Sequence, residues 1–178
     1  MNLKLIKILD VIFIFCLCLV THFVYTWVPN TLFSIFFPVN ESIWEHLKMI
    51  YSAIIVWGFF DFCILKLFKI KFKNFLVNLF ISSFFSLITF LLIYMPLFYF
   101  FGNSVFLNIV VLIIAIIVSQ IISYYVLKAE DYNYLNYISL IGIIFIYIIF
   151  GVLTYYPFKN DLFYDFKYHK YGINTYDI

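Results

Sequence analysis

Eight consecutive residues, Glu41-Ser42-Ile43-Trp44-Glu45-His46-Leu47-Lys48, hold two carboxylates, a hydroxyl, an indole, an imidazole and an amine. They support three chemistries. Glu41, Glu45 and His46, joined by His22 from upstream, offer imidazole and carboxylate ligands to a divalent cation such as zinc, manganese or iron. Ser42 and His46, one helical turn apart, have the spacing of a nucleophile and its general base, with Glu45 as the orienting carboxylate. Asn40, Trp44 and Lys48 offer a polar, stacking and cationic surface to a small-molecule or lipid ligand.

Each chemistry has a plainer competitor. Ser42-x-x-Glu45 before an apolar run is a capping box, in which each side chain satisfies the other residue's backbone N–H. The spacing E-x3-E-H matches neither H-E-x-x-H nor the di-iron E-x-x-H, so no metal pattern is met outright. No Gly-x-Ser-x-Gly elbow supports the serine. At about 100° per residue, Glu41, Glu45, Lys48 and Ser52 share one helical stripe, and Ser42, His46 and Met49 the next. An exposed Glu45–Lys48 bridge would contribute only about 0.2–0.5 kcal/mol, whereas burial would demand full pairing.

The elements that carry these groups are apolar helices. Of 178 residues, 66% are hydrophobic and 11% charged, with mean hydropathy +1.08, against roughly 45–50% and about 25% in soluble domains. One domain over 1–178 is expected, all-α, a polytopic transmembrane helix bundle. Spans of about 20 residues are predicted at 8–28, 43–65, 75–98, 104–127 and 134–156. The turn after the third is bracketed by Met95-Pro96 and Gly102-Asn103. The stretch 29–40 is apolar but too short to cross, and is expected as an interfacial or re-entrant segment before the second span. Lys4 and Lys7 ahead of an apolar run resemble a signal peptide, but no A-x-A site follows Val20, so the first span is expected to be retained.

Eleven lysines and no arginine argue against nucleic-acid reading, which leans on the guanidinium fork. Alternating five spans puts Lys4, Lys7, Lys66, Lys69, Lys71, Lys73 and Lys128 on one side. That predicts a cytoplasmic N-terminus, an extracytoplasmic tail 157–178, and the plasma membrane as location. Trp27, Trp44, Tyr25, Tyr155 and Tyr156 then form an outer aromatic belt. Cys16, Cys18 and Cys63 lie in apolar runs without metal-ligand spacing and read as small hydrophobes.

His22 falls near the outer end of the first span, level with the start of the second, so it is expected to converge on the Glu41–His46 turn. Asp161, Asp165 and His169 in the aromatic tail are expected to cap the same place. Towards the other side, Asp10 and Asp61 share a depth, with Lys66 or Lys69 as neutralising partner. Ser82, Ser83, Ser86, Ser119, Gln120 and Ser123 read either as helix–helix glue or as a polar path.

The runs His22-Phe23-Val24-Tyr25-Thr26-Trp27 and Phe37-Pro38-Val39-Asn40-Glu41-Ser42-Ile43-Trp44-Glu45-His46-Leu47-Lys48 resemble a family of small bacterial integral membrane proteins that carries no assigned function. The tail residues Tyr156-Pro157, Asp161-Leu162-Phe163, Asp165 and Tyr171-Gly172-Ile173 extend the resemblance. It implies that His22, the Asn40–Lys48 run and the tail belong to one extracytoplasmic feature. The stretch after Tyr156-Pro157 is poorer in proline than the family's pattern.

Three functions remain open on the sequence. The first is a non-catalytic component whose cluster binds a partner or fixes the fold. The second is a membrane-embedded, metal-dependent hydrolase of a lipid-type substrate. The third is a small ion- or proton-coupled transporter with its inner path at Asp61, Gln120 and Ser123.

Overall fold

A computed structural model describes residues 2–173, so the end of the expected tail, 174–178, lies outside the described residues. Six helices follow one another: α1 (Leu3–Trp27), α2 (Thr31–Phe36), α3 (Ile43–Leu67), α4 (Phe75–Phe101), α5 (Val105–Lys128) and α6 (Asn136–Tyr155). A short hairpin closes the described chain, β1 (Tyr164–Asp165) pairing antiparallel with β2 (Lys170–Tyr171). Four helices, α3 to α6, are long and apolar enough to cross a membrane. The first expected span folds as the 25-residue α1, and the segment before the second as the single-turn helix α2.

Local chemistry sets the boundaries. Asn2 caps α1 through Leu5 N at 2.9 Å, so the helix begins five residues before the expected span and carries Lys4 and Lys7 within it. Asn30 caps α2 through Phe33 N at 2.9 Å, and Ser42 caps α3; such caps satisfy amides that a first turn leaves open. Pro96 does not end α4. The helix runs on to Phe101 and stops at Gly102, whose φ of +74° suits glycine. Asn74 precedes α4 in the left-handed region and gives it no cap. Its side chain instead bonds Val126 O, Glu130 O and Tyr132 N, tying the α3–α4 connection to the end of α5.

The helices α1, α4 and α6 gather around α3, the most enclosed of the set. Half of its apolar window is buried, against 22% for α6. Gly58 faces Leu79 so closely that an added Cβ would collide with it, which is how α3 and α4 approach. The α3–α4 and α5–α6 connections share one end of the bundle, and Lys73 N donates to Leu127 O there at 3.1 Å. The α1–α3 connection and the tail share the other. Between the ends lies a core of Ile14, Cys18, Ile50, Ile54, Phe90 and Ile116, all nearly inaccessible.

Several expectations are corrected at this level. The serines of α4 turn their protons inward along their own helix: Ser82, Ser83 and Ser86 each donate to a carbonyl of α4 itself, the local bond that a mid-helix hydroxyl reaches first. The aromatic belt is thinner than expected. Trp27 and Tyr156 are exposed, but Tyr25 is buried, Tyr155 O–H meets Ser34 Oγ at 2.9 Å, and Trp44 packs between Phe150 and Phe163.

Candidate functional site

The tail folds back as a strap over the start of α3. Leu162 O accepts from Trp44 N at 2.9 Å, and Asp165, fully buried, accepts from Glu41 N at 2.9 Å. The second oxygen of Asp165 takes Lys167 N and Tyr168 N, so one carboxylate orders both its own turn and Glu41. Asn40 Nδ2 donates to Gly172 O while its Oδ1 accepts from Ser42 N at 2.9 Å. Gly172 has φ +61°, and a Cβ there would sit 2.7 Å from Thr154 O, so the strap seats against the end of α6 only through glycine.

Under the strap, His22, Glu41 and His46 come together. Their ligand atoms all lie within 4.8 Å of one another. His22 Nε2 is 3.6 Å from Glu41 Oε1, and His46 Nε2 is 3.9 Å from Glu41 Oε2. The two imidazole centroids are 5.7 Å apart. The His46 ring is oriented from behind: its Nδ1 is 2.8 Å from Ser42 O. A carbonyl only accepts, so Nδ1 carries the proton and Nε2 presents its lone pair to the cluster, the orientation that metal-binding histidines adopt. All three side chains keep some solvent access, 23%, 29% and 15% respectively.

The Glu41 carboxyl is held down to about 2, first by the hydrogen-bonding imidazole of His22, then by that ring's charge and a hydrogen bond from Lys167, with His46 adding least, against the opposing effect of partial burial. Lys167 reaches Glu41 Oε1 at 3.2 Å, and Glu41 raises its ammonium in turn. The anchor of the cluster is therefore an ionised carboxylate across the working pH range.

Glu45, expected as a ligand and as an orienting group, is not one of this cluster. It is buried one turn deeper, paired with Lys48 at 2.6 Å with both side chains sealed. Glu45 Oε2 also accepts from Val39 N and Oε1 lies 2.9 Å from Thr154 Oγ1. Lys48 Nζ donates to Ser34 O and to Thr154 Oγ1, each at 2.7 Å, so its three N–H groups find three acceptors. A buried pair satisfied in this way pins α2, α3 and α6 together. It also leaves Lys48 with no free donor for a ligand.

The capping box is half made. Ser42 Oγ accepts from Glu45 N at 3.4 Å, but the returning carboxylate goes to Val39 N and Asn40 takes its place on Ser42 N. The Ser42–His46 contact runs through the serine carbonyl, not its hydroxyl, so the nucleophile–base pair is not assembled. Of the proposed ligand surface, Asn40 and Trp44 hold the strap. Asp161 is exposed in the turn at 160–163, and Asp165 occupies the capping place expected of it. His169 pairs with Tyr164 O–H at 3.2 Å. Sequence reasoning missed Lys167, Thr154 and Ser34 as contributors; Gly172 was reached only through the family resemblance of Tyr171-Gly172-Ile173.

At the opposite end, Asp10 and Asp61 do meet, but their neutralising partner is Lys7 and not Lys66 or Lys69. Lys66 instead lies over the Phe62 and Phe72 rings.

The chain belongs to a family of unknown function, DUF6512, whose model matches residues 2–173. The match therefore takes in the cluster and the whole described strap. No curated protein and no solved structure matches the chain.

Proposed function

We propose that this is a multi-pass membrane protein that holds one divalent transition-metal ion through His22, Glu41 and His46 at its extracytoplasmic face. The observation that carries this reading is the convergence of the three ligand atoms with His46 already fixed in the binding tautomer. A tetrahedral zinc site with bonds of about 2.0–2.1 Å spaces its ligand atoms by roughly 3.3 Å. With one atom taken from each residue, the three lie within 4.8 Å of one another, so the set closes on an ion by drawing in by up to about 1.5 Å, a movement within reach of side-chain rotation. The lysines at the other end of the bundle, Lys4, Lys7, Lys66, Lys69, Lys71, Lys73 and Lys128, favour that end for the cytoplasm. That orientation takes α1 as a fifth span and places the cluster and strap outside.

Three protein ligands with residual solvent access leave a coordination position open, the feature that separates catalytic from structural metal sites. This supports a second reading, a hydrolase in which the ion supplies a nucleophilic water at neutral pH to a lipid-type substrate. The buried apolar layer at Ile14, Cys18, Ile50 and Ile54 gives a transport path through the bundle no comparable support.

Metal analysis of the purified protein tests the proposal. About one equivalent of zinc-class metal per chain is expected, falling to background in His22→Ala, Glu41→Ala and His46→Ala. A wild-type protein that stays metal-free and takes up no added zinc, cobalt or manganese sinks it.

A further inference from the structure

The lysine-rich end of the bundle buries three charges together. Lys7 and Asp10 lie one turn apart on α1, Asp61 lies on α3, and all three are at most 5% exposed. Lys7 Nζ donates to Asp10 Oδ2 at 2.8 Å and also to Asp61 Oδ2. The Trp57 indole N–H donates to Asp10 Oδ1 at 2.8 Å. The fourth carboxylate oxygen, Asp61 Oδ1, is sealed from solvent with no donor.

One ammonium against two carboxylates leaves a net charge of −1. The neighbouring elements do not cancel it: in the α3–α4 connection, Lys69, Lys71 and Lys73 are all exposed. Neither α4 nor α6 carries an Asp, Glu, Lys or His. On α5, Lys128 bonds the Tyr124 hydroxyl and lies over that ring, and on α3, Lys66 lies over Phe62 and Phe72. Lys4 sits one turn before Lys7, at the mouth of a groove between α1 and α5. An uncompensated charge in such a place costs several kcal/mol, and two carboxylates forced together relieve it by sharing one proton. The orphan oxygen of Asp61 is the atom with room to carry it.

The same place has an entrance. The groove encloses about 650 Å³ and is lined by Lys4, Lys7, Ile8, Ile117, Gln120 and Tyr124, among others. Lys7 is common to the groove wall and to both carboxylates, and Gln120 faces the groove from α5 while largely buried. We infer that Lys7, Asp10 and Asp61 form a proton-binding site inside the bundle, loaded through the α1–α5 groove from the lysine-rich end. Protonation of one carboxylate takes the set from −1 to neutral and leaves Lys7 shared between a carboxylic acid and a second, ionised carboxylate. The site is separate from the metal cluster and stands whether or not that cluster binds an ion.

Infrared spectroscopy of the full chain in lipid bilayers tests this. A non-ionised carboxylic C=O band is expected at neutral pH, shifted by 13C-aspartate labelling of wild-type protein and lost in Asp61→Asn. The labelling arm holds even where the asparagine variant does not fold. Ile117→Trp, which fills the groove, is expected to slow hydrogen–deuterium exchange of that band several-fold, while His46→Ala leaves it unchanged. Absence of the band from neutral pH down to mild acid, or its replacement by stoichiometric sodium binding, overturns the proton site. A band whose exchange is indifferent to Ile117→Trp overturns the loading route.

Discussion

His46 Nδ1 lies 2.8 Å from the carbonyl oxygen of Ser42, four residues back at the cap of α3. The contact belongs to the backbone, so it survives loss of the serine hydroxyl. Ser42→Ala should therefore keep its metal while losing the cap bond to Glu45 N, at about 0.5–2 kcal/mol of stability. Paired metal analysis and unfolding measurements check this. Loss of metal with stability intact would show that the hydroxyl, not the carbonyl, governs the imidazole.

The Glu45–Lys48 pair should behave as structure and not as part of the site. Lys48→Met leaves a sealed carboxylate without its cation, a change that costs about 3–5 kcal/mol. Adding Glu45→Gln removes the unpaired charge; its amide oxygen still accepts from Val39 N, and its amide N–H finds Thr154 Oγ1, which Lys48 no longer occupies and which can donate to Phe150 O instead. The double variant should then be more stable than Lys48→Met alone, as read by detergent unfolding. Equal losses in the two would mean that the residues are not coupled.

These two residues also show what a sequence can reveal here. The long apolar runs, their ends and the approach of His22 to the second span follow from length, punctuation and the short α1–α3 connection. Helical phase, however, put Glu41 and Glu45 on one stripe, and phase has no meaning for Glu41 because the helix starts after it. Asp165, 124 residues away, sets its backbone, so the split of one acid to the cluster and the other to the core is tertiary. The same holds for Lys7, which reads as a flanking positive charge until a residue 54 positions on draws it inside. Hydroxyls such as Ser34 and Thr154 gain their roles only when a buried ammonium needs acceptors.

The strap should fail at Gly172. Alanine there meets a left-handed backbone, about 1–2 kcal/mol, and a Cβ 2.7 Å from Thr154 O. Gly102 also has a positive φ of +74°, with ψ −171° and open space around it, so Gly102→Ala carries backbone strain without the collision and serves as the control. Limited proteolysis should cut within 157–173 faster in Gly172→Ala than in Gly102→Ala, and zinc affinity should fall with it, since Asp165 no longer holds Glu41. Equal protection of both variants would separate the strap from the cluster.

Glu41 should serve the ion equally from neutral pH down to about 5. The Glu41 carboxyl is depressed to about 2, below the ordinary value of about 4.3. Its contribution is therefore complete above that value and lost only as pH falls towards 2. From neutral pH to about 5 the carboxylate stays ionised, so binding of the ion displaces no proton from Glu41. Lys167 shares Glu41 Oε1 at 3.2 Å, so its ammonium competes with any cation placed there. Lys167→Met should raise zinc affinity a few-fold and make it less sensitive to salt. Titrations of wild type and Lys167→Met across that pH range check both points. A proton displaced from Glu41 when the ion binds, or weaker zinc binding without the lysine, would show that Glu41 is not the fixed anion of the cluster.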